Sequence, residues 1–334
     1  MVTEDGARAL VARARATGLR ADTGPAPAPR AGSHVVVLVK PEVMTADHAA
    51  DALAEAVRVL GRGEVDVLRG AVVPAADFAG RGYLLLHYPR LHRVAADGSR
   101  ALCSGAREEL GALLATSGTG GAVGAYEAMT REAGLSPAAL DERCRTAGIR
   151  KLGSGSYASV TELNGRPATV LNGFLPSLAA GYAAPGTLVG LLECHSLREI
   201  DELRGGLLGP LDPVGAPRES LRGALGALAR EHGTALSEGR NAVHLSAGHL
   251  EGMFQAWRYF TAADGEDVGG TAFGRSLADR GVSPAEVAAL AADHNLAEDS
   301  GETVSPHGAT ENLPRAAALD RVLRWAATGK GLGT

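Results

Sequence analysis

Hydrophobic and polar positions change their period several times along the chain. The run Val35-Val36-Val37-Leu38-Val39 is continuously apolar and ends at Lys40-Pro41, which predicts a central strand buried on both faces. Ala50, Leu53, Ala54, Val57 and Leu60 then recur at helical spacing up to Gly61, and a second strand is predicted over 64–73, stopped by Pro74. Ahead of this block, residues 1–33 begin with a short helical pattern. They then pass through Thr23-Gly24-Pro25-Ala26-Pro27-Ala28-Pro29, which holds no helix, and the whole segment is expected to be a mobile arm.

From about 90 to 170 the pattern is one of short helices with glycine joints. Ser136-Pro137 supplies a cap and a first helical residue, and a hairpin over 157–163 and 168–171 turns at Asn164-Gly165. Strand character returns over 187–192, with helices following from about Leu197 and near Arg218. A short strand, 241–245, precedes an amphipathic helix through Leu250, Phe254 and Trp257. Ser283-Pro284-Ala285-Glu286 has the form of a capping box in a tail that is otherwise rich in glycine and acid.

Composition narrows the class. With 334 residues, 45% of them hydrophobic and 21% charged, the chain can bury a sizeable core and has room for an insertion or second module. Its net charge is −5 and aromatics are only 4%, which argues against a nucleic-acid partner bound through phosphate attraction and base stacking. Cys103, Cys144 and Cys194 lie far apart without a CxxC spacing, so neither a disulfide framework nor a structural metal site is expected. No apolar run approaches a membrane span or a secretory leader, and a cytoplasmic protein without a membrane partner is expected. The basic residues are nearly all arginine. Lys40, Lys151 and Lys330 are the lysines, so a lysine placed directly after a buried strand draws attention.

Several chemical signals are weak. Gly153-Ser154-Gly155-Ser156-Tyr157 lacks the lysine that a kinase glycine loop needs on the next strand, and Gly329-Lys330-Gly331 lacks the remainder of a phosphate-binding loop. The pairs His87/His92 and His244/His249 are spaced by five, which does not set two imidazoles on one helical face. Cys194-His195 are neighbours that a strand would point apart. A stronger constellation joins Lys40 at the end of the buried strand, Arg222 in Ser220-Leu221-Arg222-Gly223, and Gly239-Arg240-Asn241-Ala242-Val243-His244-Leu245-Ser246 ahead of an amphipathic helix.

Those residues and the strand–helix order resemble the nucleoside diphosphate kinases, over residues 34–83 and 171–260, most specifically at Val39-Lys40-Pro41 and in the Gly-Arg-Asn-x-x-His-x-Ser motif. The resemblance implies that His244 is the nucleophile and that Lys40 and Arg222 hold the transferred phosphates. It implies that Asn241 contacts the sugar, Ser246 stands beside the histidine, Phe174 stacks on the base, and Tyr83 lies near Lys40. It also implies ATP or another nucleoside triphosphate with Mg2+, a small-molecule acceptor, and a symmetric homo-oligomer, dimer or larger.

The departures are as specific. Gln255 stands where the family has a glutamate that orients the histidine, so the expected basicity falls. Leu211 replaces a phosphate-binding threonine, and Gly205 falls where an arginine is expected, with Arg204 adjacent as a substitute. Removing one charged hydrogen bond to phosphate costs ~1.5–3 kcal/mol. The resulting expectation is an α/β (α+β) protein with a ferredoxin-like antiparallel sheet carrying helices on one face. The core is placed at 34–90 and 171–260, a mostly helical insertion at 91–170, and a helical C-terminal extension at 261–334. Its expected function is phosphotransfer through a phosphohistidine, with a role in specialised metabolism and a nucleotide-dependent acceptor reaction. The alternative is a repurposed nucleotide-binding protein, or an enzyme of another reaction type, without kinase activity.

Overall fold

The structure is a computed structural model that describes residues 1–27 and 29–328. Ala28 of the Pro/Ala run and the last six positions, Gly329-Lys330-Gly331 among them, lie outside the described residues. The chain is α+β and divides into two compact units. The first comprises Met1–Arg81, Tyr182–Ala291 and Thr310–Thr334, and the second Gly82–Gly181 with Ala292–Ala309.

The first unit is built on a five-stranded, wholly antiparallel sheet. Its strands are β1 (Ala21–Asp22), β2 (Ser33–Val39), β3 (Asp66–Pro74), β4 (Leu188–Ser196) and β5 (Val243–Leu245), in the spatial order β1-β3-β4-β2-β5. The apolar run takes the place its composition demands: β2 lies between β4 and β5, and all seven of its residues are buried. The helices that matter to this unit are α1 (Glu4–Thr17), α2 (Ala49–Arg62), α3 (Leu221–Glu231), α4 (His249–Tyr259), α5 (Ala272–Ala278) and α6 (Arg315–Ala327). From β2 onward the path is strand, helix, strand, strand, helix, strand, and those four strands stand in the order second, third, first, fourth.

Helices cover both faces of this sheet rather than the single face expected. Val35, Val37 and Val39 point into a core shared with α1, α2 and α3. The alternate residues point to the opposite face, where α4 and α5 lie on β2. Gly252 allows that contact, since a Cβ there would stand 2.8 Å from the His34 carbonyl oxygen. His244 pairs with Leu38 in the β2–β5 register, so its side chain emerges on the α4 face.

The expected mobile arm is instead part of the core. Thr3 caps α1 by accepting from the Gly6 N–H, Gly18 closes it in the left-handed conformation at φ 67°, and Ala7, Leu10, Val11 and Ala14 form a buried stripe at helical spacing. The Pro/Ala run excludes a helix only from its own residues. β1, immediately after α1, pairs with β3 before that run begins.

The second unit carries more helix than strand over 91–170, as expected, but also a sheet of which the expected hairpin supplies only two strands. Its four-stranded mixed sheet orders Ala122–Gly124, Arg166–Leu171, Ser156–Leu163 and Arg150–Gly153 side by side, the first pair parallel. The hairpin turns at Asn164-Gly165 as expected, both residues at positive φ of 51° and 70°. The outer strands, three and four residues long, are too short to show a period of two. Its extent also differs from 91–170: residues 82–90, 171–181 and 292–309 belong to it. Among the described residues, no helix is long and apolar enough to cross a membrane.

Candidate functional site

The first unit gathers His244, Lys40, Asn241, Arg222, Arg204 and Gln255 around the ends of β2 and β5. Lys40 follows β2 directly and is only 5% exposed, and its Nζ donates to Asn241 Oδ1 at 2.7 Å. The Asn241 amide in turn donates to the Glu238 carbonyl at 2.9 Å. This amide is therefore committed to Lys40 and to its own loop, where the resemblance implied a sugar contact. Burial lowers the Lys40 pKa and the Arg222 charge lowers it further, against the opposing pull of Glu42.

Between Asn241 and His244 the backbone makes a rare turn. Ala242 has φ 68°, and the Val243 N–H donates to the Asn241 carbonyl across it at 2.8 Å. A three-residue turn with positive φ is strained for an L-residue. Two contacts hold it: the Ala242 carbonyl accepts from the Lys40 N–H at 2.8 Å, and the Ala242 N–H donates to Glu42 Oε1 at 3.1 Å. The turn fixes His244 relative to Lys40 through backbone as well as side chain.

His244 is held by a carboxylate that no motif in the sequence marks. Its Nε2 lies 2.9 Å from Glu251 Oε1, while the Gln255 amide nitrogen is 3.5 Å from the same atom. Gln255 therefore does not take over the orienting glutamate's place. It donates to Glu251 Oε1 at 2.6 Å and accepts from the Ser246 hydroxyl at 2.6 Å, so it braces the carboxylate. Ser246 is completely buried and accepts from the Val36 N–H at 2.9 Å; it anchors this chain of contacts to β2 and offers no nucleotide contact. Glu251 and Gln255 are four residues apart on α4 and so share a face, with Glu251 in the first turn, where the helix dipole favours an anion. That spacing, seven residues after the histidine, is the signal that could have revealed Glu251.

Burial is the main influence on His244 and pushes its pKa well below the ordinary value; Lys40, Arg204 and Arg222 push the same way, and Glu311 opposes them. The imidazole is therefore neutral. A carboxylate only accepts, so the ring proton sits on Nε2 facing Glu251 and the lone pair on Nδ1. The side chain of His244 is 20% exposed, which leaves it within reach of a ligand.

The remaining cations are differently engaged. Arg222, in the first turn of α3, donates to the Gly209 carbonyl at 2.8 Å. Arg204 sits on a π-helical turn, Leu203–Leu208, and its Nη1 donates to the Ala247 carbonyl, Glu311 Oε1 and Asn312 Oδ1 at 3.1, 2.9 and 2.6 Å. Leu211 is 44% exposed and carries no polar group for a phosphate. Tyr83 and Phe174 belong to the second unit. Tyr83 opens the helix Tyr83–His87 of the second unit, and Phe174 packs edge-to-face on Tyr157 there, with ring centroids 5.5 Å apart.

No group of three or more His, Cys, Asp or Glu among the described residues is arranged to hold a metal ion. The three cysteines form no disulfide, and burial pushes the Cys144 thiol up to about 11 and the Cys194 thiol up as well, which makes both poor nucleophiles. No family model matches the chain, and no curated protein or solved structure matches it.

Proposed function

We propose that the first unit transfers a phosphoryl group through His244, taking it from ATP or another nucleoside triphosphate bound with magnesium. The observation that carries this reading is the neutral, tautomer-fixed imidazole of His244, held by Glu251 at 2.9 Å and flanked by the charges of Lys40 and Arg222. The four-strand order of the sheet supports it, since β-α-β-β-α-β in that order is the ferredoxin-like arrangement that the resemblance to nucleoside diphosphate kinases implies.

The chemistry asked of the chain is limited. The Nδ1 lone pair attacks the terminal phosphorus, the bond from phosphorus to the bridging oxygen breaks, and the nucleoside diphosphate leaves with that electron pair. The proton on Nε2 stays in place, and the positive charge arising on the ring is met by Glu251. Lys40 and Arg222 stabilise the negative charge on the moving group and the leaving group. An acceptor oxygen then attacks the phosphorus, the N–P bond breaks, and the lone pair returns to Nδ1. The acceptor is a small molecule.

A second reading, nucleotide binding without transfer, is favoured by the engagement of Arg204 with Glu311 and Asn312 and by the apolar Leu211. The two readings separate on one experiment. Protein mixed with γ-labelled ATP and magnesium and quenched in base is expected to carry an acid-labile phosphate that His244→Ala removes. Absence of label, with ATP binding retained by calorimetry, would establish the second reading.

A further inference from the structure

Glu311 reaches the His244 site from outside the strands and helices that build it. Residues 310–312 run along the start of α4: the Asn312 N–H donates to the Ala247 carbonyl at 2.9 Å, and a Cβ on Gly248 would stand 2.6 Å from the Thr310 carbonyl oxygen. The missing side chain at Gly248 lets this segment settle against the loop that follows His244. From there Glu311 and Asn312 both meet Arg204 Nη1, so that with the Ala247 carbonyl one guanidinium nitrogen faces three oxygens supplied by the chain. The side chains of Arg204 and Glu311 are 22% and 20% exposed, which shields the pair from most of the screening a surface pair suffers. Glu311 also acts on the histidine itself, raising a pKa that burial and the three cations lower.

A carboxylate on a guanidinium copies one edge of a phosphate in charge and oxygen spacing. Among the charged groups that act on His244 and Lys40, or bond them, are the cations Lys40, Arg204 and Arg222 and the carboxylates Glu42, Glu251 and Glu311. A site that is to take a polyanion would ordinarily carry a cationic surplus. Here Glu311 reduces it.

We propose that Glu311 is a specificity-determining residue, an internal anion that occupies one phosphate position on Arg204 and limits how much negative charge a ligand brings to His244. The proposal rests on the phosphotransfer reading only in taking the ligand to bear phosphate. Removing the charge at 311 restores one unit of positive surplus, so the gain in affinity grows with the charge of the ligand.

The test uses the full chain, calorimetric titration at fixed ionic strength without magnesium, and AMP, ADP and ATP as probes on the wild type and Glu311→Gln. Glu311→Gln is expected to bind each more tightly, with the gain rising from AMP to ATP and reaching about tenfold for ATP. Proton NMR is expected to show the His244 pKa falling further in the variant, because a charge that raises it is gone. Glu311→Ala, which removes the hydrogen bond with the charge, should follow Glu311→Gln. A gain equal for all three probes, no gain, a loss, or no binding of any probe by either protein overturns the proposal. A graded gain without His244 labelling would reject phosphotransfer and keep the role of Glu311. Labelling with a flat series would do the reverse.

Discussion

His244 owes its usable state to opposed influences. Burial and the charges of Lys40, Arg204 and Arg222 keep the ring neutral, while Glu251 fixes where its proton sits. Glu251→Gln isolates the second influence, because an amide keeps the shape but both donates and accepts, so the tautomer is no longer dictated. On the phosphotransfer proposal, labelling of His244 by ATP is expected to slow by about 10²-fold, with ATP affinity changed little, as judged by rapid-quench rates against calorimetric affinities. Equal losses in rate and affinity would mean that Glu251 braces the fold rather than the nucleophile. His244 and Lys40 are legible in the sequence because the short motif and the strand end carry their own spacing. Glu251 is harder to read there, because its spacing from His244 marks it as a candidate but its role depends on Gln255 giving its carbonyl oxygen to Ser246 and its amide nitrogen to Glu251, a rotamer choice outside the sequence pattern.

One short element, the turn at Ala242, fixes how those side chains meet. The turn at Ala242 holds an L-residue at φ 68°, a conformation that costs roughly 1–2 kcal/mol and is offset by the bonds to Lys40 and Glu42. Ala242→Gly relieves that strain at the expense of unfolded-chain entropy, so stability is expected to stay within about 1 kcal/mol of the wild type. Ala242→Val cannot adopt the turn cheaply and should lose more than about 1 kcal/mol, read from urea midpoints. Helix α1 gives the opposite lesson about elements. Leu10 is 1% exposed in the core beneath β3, so Leu10→Ala is expected to cost ~2–5 kcal/mol, where a mobile arm would cost nothing. Its stripe of Ala7, Leu10, Val11 and Ala14 is readable in the sequence, but the Pro/Ala run beside it suggests disorder for the whole segment although it breaks only its own stretch. β2 is legible because every position from Val35 to Val39 is apolar. The strands Ala122–Gly124 and Arg150–Gly153 are not, because they are too short for a pattern and are fixed by the strands they pair with.

Across the whole molecule, the division into two units is only partly legible, since the second unit draws in residues 292–309 from far along the chain, a return that leaves no local pattern. The division has a practical use. Both tryptophans, Trp257 and Trp325, belong to the first unit, so their fluorescence follows the unfolding of that unit alone. Its response to acid follows from its histidines. His249, 1% exposed and stacked on Phe273, has its pKa pushed down to about 4 by burial and by the Arg315 charge, with Glu199 opposing, and His244 is pushed down as well. A histidine depressed in the folded state and ordinary in the unfolded state binds more protons when unfolded. Stability is then fully present above about pH 6.5 and is lost as the pH falls from there toward about 4. Each such histidine contributes a slope of about 1.4 kcal/mol per pH unit in that window. Urea midpoints followed by tryptophan fluorescence should therefore fall steadily below pH 6.5, and His249→Gln, which keeps a polar side chain but cannot titrate, should make the fall shallower. An unchanged slope in that variant would return the acid sensitivity of the first unit to His244 and the carboxylates. His92, likewise depressed to about 4 by burial, sets the same window in the second unit, where the tryptophans cannot report it and amide exchange can.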